Sequence, residues 1–355
     1  MSKKITIKDV AKEAGVSIGT VDRVLHKRGR YSETTAKAVQ QAIKKLNYKP
    51  SEIASALVTM RKHLKIGVSY PLDEAFELFW DDVRKGVQRA ASELSAFGIE
   101  IIEDCPNSFS FDAQQSALKR LVSQDVNAII TTALNPNNIE DRFSHYIPQH
   151  IPFATAINRD WDNEQLFHIG PNDEATGSLI ARLIQLYCGN QAKVLMIAPN
   201  MEVEGTQKRI QGFVNKLATE LVNIKLLQIS PIIAQTIQQS YTNIHAETKR
   251  ILEQYPDLNA IYVTNGFVKP CADAVREAHS KVKVFGHEYF LSEDEYLNDG
   301  TIAATVCQNS GEQWYQAIME MVAYLNGKNT PAKFIPAKCS IIMKETLPLL
   351  SNQFE

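Results

Sequence analysis

The eight histidines and five cysteines of this 355-residue chain are dispersed, without a CxxC pair or a His/Cys cluster at metal-ligand spacing. No GxSxG, P-loop or GxGxxG occurs, and no pair of carboxylates stands out as a glycosidase would need. What the residues offer is binding chemistry. Polar and aromatic groups recur in Tyr70 to Trp80, Ala133 to Asn138, Asn158 to Arg159, Thr264 to Gly266, His287 to Glu288 and Cys307 to Asn309. Within them Phe79 and Trp80 offer flat aromatic faces, Asn138, Asn265 and Gln308 planar amides, Arg159 one cation and Glu288 one carboxylate. Such a mixture suits a polyhydroxylated ligand, with aromatic faces against its C–H surface and amides bonding its hydroxyls. The amino end holds a different chemistry. Residues 1–63 carry 14 Lys and Arg against five acids, a net +9 in a chain of net −2, which leaves −11 for residues 64–355. A basic head on an acidic body is the footprint of nucleic-acid binding confined to one end.

The elements that must hold these groups are legible in the periodicity. Thr6 can cap a first helix with Asp9 as its partner, Val10, Ala11 and Ala14 share a face, and Gly15 can turn the chain in the left-handed conformation. Ser17 caps a second helix with inner face Val21, Val24 and Leu25, and two short helices about a glycine match the helix-turn-helix. Ser32 starts a third, with Ala36, Val39, Ile43 and Leu46 as its stripe and Asn47 as its stop. After Pro50, the stretch 51–59 has an apolar face of Ile53, Ala54 and Leu57, yet it is too short to be helical unless something packs on it.

From Lys65 short apolar runs alternate with amphipathic segments. The runs are 66–70, 99–103, 128–132, 153–157, 194–198, 224–229, 260–264 and 282–285, with helices near 79–97, 113–123, 139–147, 173–187, 205–221, 241–254 and 272–279. Continuous apolar strands between helices indicate parallel sheets covered on both faces. The number exceeds one ordinary open sheet, and the polar stretch 159–170 divides the series into two similar lobes. Ligands of such sheets bind at the carboxyl ends of the strands, and if the lobes face each other the polar groups above line one cleft.

The segments Thr6-Ile-Lys-Asp-Val-Ala-Lys-Glu-Ala-Gly-Val-Ser17, Thr20-Val-Asp-Arg-Val-Leu25 and Leu46-Asn-Tyr-Lys-Pro50 closely resemble the DNA-binding headpiece of the lactose-repressor (LacI) family of bacterial regulators. The resemblance implies that Ile18 and Gly19 take base-reading positions and that Arg23 reaches a base or phosphate. Gly19 removes one reading side chain, which shifts discrimination towards apolar contact from Ile18, for instance with a thymine methyl. The resemblance sets Asp22 where many relatives have a serine near the DNA backbone, and makes Thr20, Thr35 and Tyr48 candidate phosphate or packing contacts. Thr6, Ser17, His26, Arg30 and Ala54 complete the implied DNA-contact set, and Leu57 matches a hinge-helix leucine that wedges between base steps. Residues 65 to about 345 resemble sugar-binding periplasmic proteins of the ribose-binding type, the sensor that this family carries. That resemblance places Phe79, Trp80, Asn138, Arg159, Asn265, Glu288 and Gln308 at ligand positions, and Asp173 in a pair, Asn172-Asp173, whose order is inverted.

The fold expected is therefore an all-α helix-turn-helix headpiece at 1–50, a hinge helix or linker at 51–63, and a periplasmic-binding-protein-like α/β body at 64–355 made of two doubly wound parallel-sheet lobes. The function expected is a transcription regulator, a repressor and not an enzyme, acting as a homodimer on a pseudo-palindromic operator under a sugar or polyol effector, without a cofactor. A phosphorylated metabolite or a protein co-regulator is the alternative control; a carbohydrate-active α/β enzyme with a helical cap leaves the basic head unexplained. No apolar run follows Lys3 and Lys4 and none reaches membrane-spanning length, so the expected compartment is the cytoplasm.

Overall fold

The computed structural model describes residues 7–25, 31–46, 63–72, 77–108, 110–134, 143–158, 164–199, 201, 203–234, 236–328 and 330–350. The stretch 51–62, where the hinge is expected, lies outside them.

Three helices form the amino-terminal part: α1 (Ile7–Ala14), α2 (Ile18–Leu25) and α3 (Glu33–Lys45). Gly15 between α1 and α2 has φ +65°, the conformation that a side chain would strain, and Val16 N–H donates back to Ala11 O at 3.0 Å. Ser32 caps α3 by accepting from Thr35 N. Val10, Val21 and Val39 are fully buried at the centre, with Ala11, Val24 and Ala42 around them. Ala42, absent from the expected stripe of α3, is buried, whereas Ala36, Ile43 and Leu46 are only partly covered.

The chain divides into two compact units, the first of which includes these three helices. The first comprises Met1–Glu74, Trp80–Ile169 and Ser310–Ile335; the second comprises Ala75–Phe79, Gly170–Asn309 and Pro336–Glu355. In chain order the body elements are β1 (Leu64–Ser69), α4 (Glu77–Leu94), β2 (Ile99–Glu103), α5 (Phe111–Ser123), β3 (Ala128–Thr131), β4 (Phe153–Ala156) and β5 (Phe167–Gly170). Then come α6 (Asp173–Cys188), β6 (Lys193–Pro199), α7 (Glu204–Thr219), β7 (Lys225–Ile232), α8 (Ile237–Gln254), β8 (Ala260–Val263), α9 (Val268–Glu277) and β9 (Lys283–His287). Last are α10 (Asp294–Asn298), β10 (Ile302–Cys307), α11 (Ser310–Leu325), β11 (Phe334–Pro336), β12 (Ser340–Ile342) and α12 (Leu347–Leu350).

The first sheet has the order β11-β5-β4-β3-β1-β2 and the second β12-β10-β9-β8-β6-β7. Leaving out β11 and β12, each is the doubly wound order 2-1-3-4-5, with parallel pairs such as Ile66↔Ile101 and Leu195↔Ile261. The central strands are buried along their length because helices cover both faces. The second sheet thus separates two apolar clusters, one around Ile197, Ile244 and Val275, the other around Ile180, Met196 and Phe213.

Four details depart from the periodicity. The polar stretch expected between the lobes contains β5, which a histidine interrupts; His168 is buried there with Nδ1 2.9 Å from Thr155 Oγ1. The helix expected near 139–147 is, in its described part, a single 3-10 turn at Phe143–His145, with Pro148 close behind it. Three further strands beyond the expected runs complete the sheets: β11 adds an edge to the first, β10 lies between β9 and β12 in the second, and β12 is an edge running antiparallel to β10. Finally, the chain does not assign its lobes in two consecutive halves: α11 belongs to the first unit. There α11 is seated on α4, with Asp82 Oδ2 accepting from Ser310 Oγ at 2.8 Å and from Gly311 N at 2.7 Å. A Cβ on Gly86 would fall 2.0 Å from Gly311 O, so the two backbones meet directly.

Candidate DNA-reading helix and effector site

Helix α2 presents the groups expected to read DNA. Ser17 Oγ accepts from Thr20 N at 3.2 Å and lies 2.9 Å from Thr20 Oγ1, so both hydroxyls are occupied in starting the helix. Ile18 is half-buried and packs against the headpiece core, which divides its apolar surface between the core and the exposed face. Gly19 is exposed, and a Cβ there would meet only Ser17 Oγ at 3.9 Å, so nothing within the headpiece forbids a side chain. Arg23 is exposed and folds along its own helix, donating from Nε to Gly19 O at 3.1 Å and from Nη2 to Thr20 Oγ1 at 3.2 Å. Asp22 belongs to α2, but its side chain is outside the described set, as are Thr6, His26, Arg30, Tyr48, Ala54 and Leu57.

Of the expected effector residues, Asn138 and Arg159 also lie outside the described residues. In the first unit Trp80 is 4% exposed and stacks on Tyr70 with ring centroids 6.1 Å apart, while Tyr70 donates to Glu103 Oε2 at 2.9 Å. Trp80 is thus part of a buried aromatic layer, whereas Phe79 is half-buried.

The second unit brings most of its expected residues together. Asn172 caps α6, its Oδ1 accepting from Ala175 N at 3.1 Å, which leaves Asp173 in the first turn. Asp173 Oδ1 accepts from Arg209 Nε at 2.7 Å, and Arg209 Nη1 donates to Thr264 O at the end of β8 at 3.1 Å. Helices α6 and α7 can hold that pair because they touch backbone to backbone: a Cβ on Gly177 would lie 2.0 Å from Arg209 O, and one on Gly212 1.9 Å from Glu174 O. Glu288 follows β9 with φ +63°, an uncommon conformation for a residue with a side chain, and its N–H donates to Val306 O at 3.1 Å. Its Oε1 accepts from Gln308 Nε2 at 2.5 Å, and both residues are buried. Asn265 Oδ1 accepts from Phe267 N at 3.0 Å, so its carbonyl shapes the turn after β8.

The electrostatics follow from this packing. Burial opposes the charge of Arg209, but Asp173 and Glu288 outweigh it and hold the guanidinium above its ordinary value. His287 is 1% exposed with Nε2 2.8 Å from Tyr262 Oη; burial and then the Arg209 charge press its pKa well below the usual value, so it is neutral. Burial pushes the Cys339 thiol up to about 11, with Glu288 adding to the rise.

Arg209 and Cys339 are the residues that sequence reasoning missed. A signal for Arg209 existed: Thr206, Arg209, Gly212, Phe213 and Leu217 are the buried residues of α7, so an arginine falls on the buried stripe of an amphipathic helix. Cys339 carried none.

Residues 66–329 match the periplasmic binding protein domain family, and residues 6–51 match the lacI family of bacterial regulatory proteins. A helix-turn-helix followed by a binding-protein body of two mostly parallel sheets defines a ligand-responsive DNA-binding protein as the class. The chain is similar to a ribose operon repressor of Halalkalibacterium halodurans, 28% identical over 275 residues, 77% of this chain and 75% of that protein. It is also similar to the repressor PurR of Vibrio vulnificus, 28% identical over 223 residues, 62% of each. Among solved structures it shares its fold with GanP, a glucose-galactose binding protein from Geobacillus stearothermophilus (TM-score 0.70, 24% identity, 81% of this chain and 100% of that one). A periplasmic ribose ABC transporter protein from Conexibacter woesei gives TM-score 0.72 at 18% identity over 82% of this chain and 96% of that one. The chain belongs to the lacI family of bacterial regulatory proteins, with a periplasmic-binding-protein sensor domain. It is a DNA-binding transcription regulator, and that family is not one of enzymes.

Proposed function

We propose that the protein is a cytoplasmic, homodimeric repressor that binds a pseudo-palindromic operator and changes its operator affinity when a small sugar or polyol binds the body. The domains in this reading are a headpiece at 1–50, a hinge at 51–63 and a ligand-binding and dimerisation domain at 64–355. Ile18, Thr20 and Arg23 contact the operator, and Leu57 belongs to the hinge.

The observation that carries the effector half is the cluster Asp173, Arg209, Glu288 and Gln308 at the carboxyl ends of the second sheet's strands. Fixed carboxylate, guanidinium and amide groups bond vicinal hydroxyls, and the carboxyl edge is where such sheets take ligands. The names of the ribose operon repressor and the glucose-galactose binding protein support a sugar. A ligand can shift the operator-binding equilibrium only by its differential affinity for two states of the protein.

The test is a gel shift on the gene's own upstream region with and without a panel of sugars and polyols. A specific complex relieved or strengthened by one compound is the expected result; a specific complex indifferent to every compound counts against the sugar effector. Leu57→Ala is expected to weaken operator binding tenfold or more while effector affinity stays nearly unchanged, and equal loss of both removes the hinge role.

A further inference from the structure

We infer that Glu288 is a specificity-determining residue that makes this site select an uncharged sugar or polyol over its phosphate ester. The inference rests on the proposed effector reading and deepens it. The sole guanidinium in the described cluster, Arg209, already has its Nε matched by Asp173 at 2.7 Å and Nη1 turned to Thr264 O at 3.1 Å. Glu288 is a second carboxylate in the same cluster, and the partner fixed on its Oε1 is the neutral amide of Gln308 at 2.5 Å. His287, next in the chain, contributes no positive charge: its ring is buried against Tyr262.

Among the described residues the cluster therefore carries two carboxylates for one cation. Hydroxyls donate to carboxylates and need no countercharge, whereas a phosphate dianion only accepts, and two fixed carboxylates repel it. Gln308 donates an amide N–H to Glu288 and, being neutral, adds no positive charge to offset this. The carboxylate itself is fixed by its backbone: Glu288 sits at φ +63°, with its N–H on Val306 O at 3.1 Å. The burial of the cluster keeps salt from screening the repulsion fully, so discrimination persists at moderate ionic strength.

The experiment titrates the full chain, and its Glu288→Gln variant, with matched pairs: D-ribose and ribose 5-phosphate, D-glucose and glucose 6-phosphate, D-galactose and galactose 6-phosphate. The expected result is that one neutral sugar binds at least tenfold tighter than its phosphate, and that Glu288→Gln narrows the ratio at least tenfold. A wild-type protein that binds a phosphate as tightly as the parent sugar, or tighter, overturns the inference and leaves the sugar reading standing. Binding of no member of any pair defeats the sugar reading and this inference with it. A Glu288→Gln variant that melts as wild type does but loses both members equally makes Glu288 a hydrogen-bonding group only, which also overturns the inference. The wild-type ratio needs no variant, so a misfolded substitution does not block the test.

Discussion

Arg209→Met isolates the ion pair at the heart of the second unit. The side chains of Arg209 and Asp173 are only 11% and 14% exposed, with Nε 2.7 Å from Oδ1. Truncating one partner of a buried pair strands the other charge, a loss of about 3–5 kcal/mol; the residual exposure puts this case near about 3 kcal/mol. Adding Asp173→Asn removes the stranded carboxylate and should recover roughly 2 kcal/mol, far outside the few tenths by which independent sites fail to add. The internal control is Arg182–Glu220 in the same unit, at 3.0 Å but 40% and 52% exposed, whose disruption should cost no more than about 1 kcal/mol. Urea unfolding of the full chain followed by far-UV circular dichroism measures five proteins: the wild type, Arg209→Met, Asp173→Asn, the double variant and the Arg182→Met control. A cost for Arg209→Met below about 1 kcal/mol, or a double variant equal to the sum of the singles, refutes the claim that this pair is buried and coupled.

Gly177→Ala places a methyl where Arg209 O now sits 2.0 Å away, so α6 and α7 must part by about an ångström; overpacking of this kind costs about 1–3 kcal/mol, and a melting scan should read a drop of roughly 5 °C. Val39→Ala opens the small headpiece core at a fully buried position, costing about 2 kcal/mol, and should abolish the gel shift while effector binding to the body survives. His287 gives a pH dependence of definite sign. Its folded pKa lies well below the ordinary value near 6.5, so the unfolded chain takes up a proton first as pH falls, and stability drops below about pH 6.5 by up to about 1.4 kcal/mol per unit. Comparison of the wild type with His287→Gln between pH 7.5 and 5 should show that extra slope in the wild type alone.

Where local signals agreed, the sequence was a sufficient guide. Gly15 ends α1 with φ +65°, Ser17 and Ser32 cap α2 and α3, and the apolar runs became the central strands of two sheets. The misses share a physical cause, which is tertiary context. His168 hides β5 from a hydrophobicity pattern because its polarity is met by Thr155 across the sheet, a partner 13 residues away. In the site, Asp173, Glu288 and Gln308 were readable as polar residues at strand or helix ends, yet their pairing was not. Arg209 was passed over because a strand-end rule searches loops, whereas this cation comes from within a helix and reaches the sheet edge only because α6 and α7 touch at glycines. Trp80, which the resemblance sets at a ligand position, stacks on Tyr70 and is buried in the first unit.

The seating of α11 on α4 has a consequence for how the protein is made. Asp82 finds its partner Ser310 at a separation of 228 residues, and Gly86 meets Gly311 across the same junction. At about 5–20 residues per second, a ribosome needs roughly 10–50 s to deliver that helix after Asp82 has emerged. During that interval the face of α4 that α11 will cover is bare on the nascent chain, while residues 170–309 of the second unit are being synthesised. The first unit is therefore begun first and completed late, after most of the second unit has been synthesised.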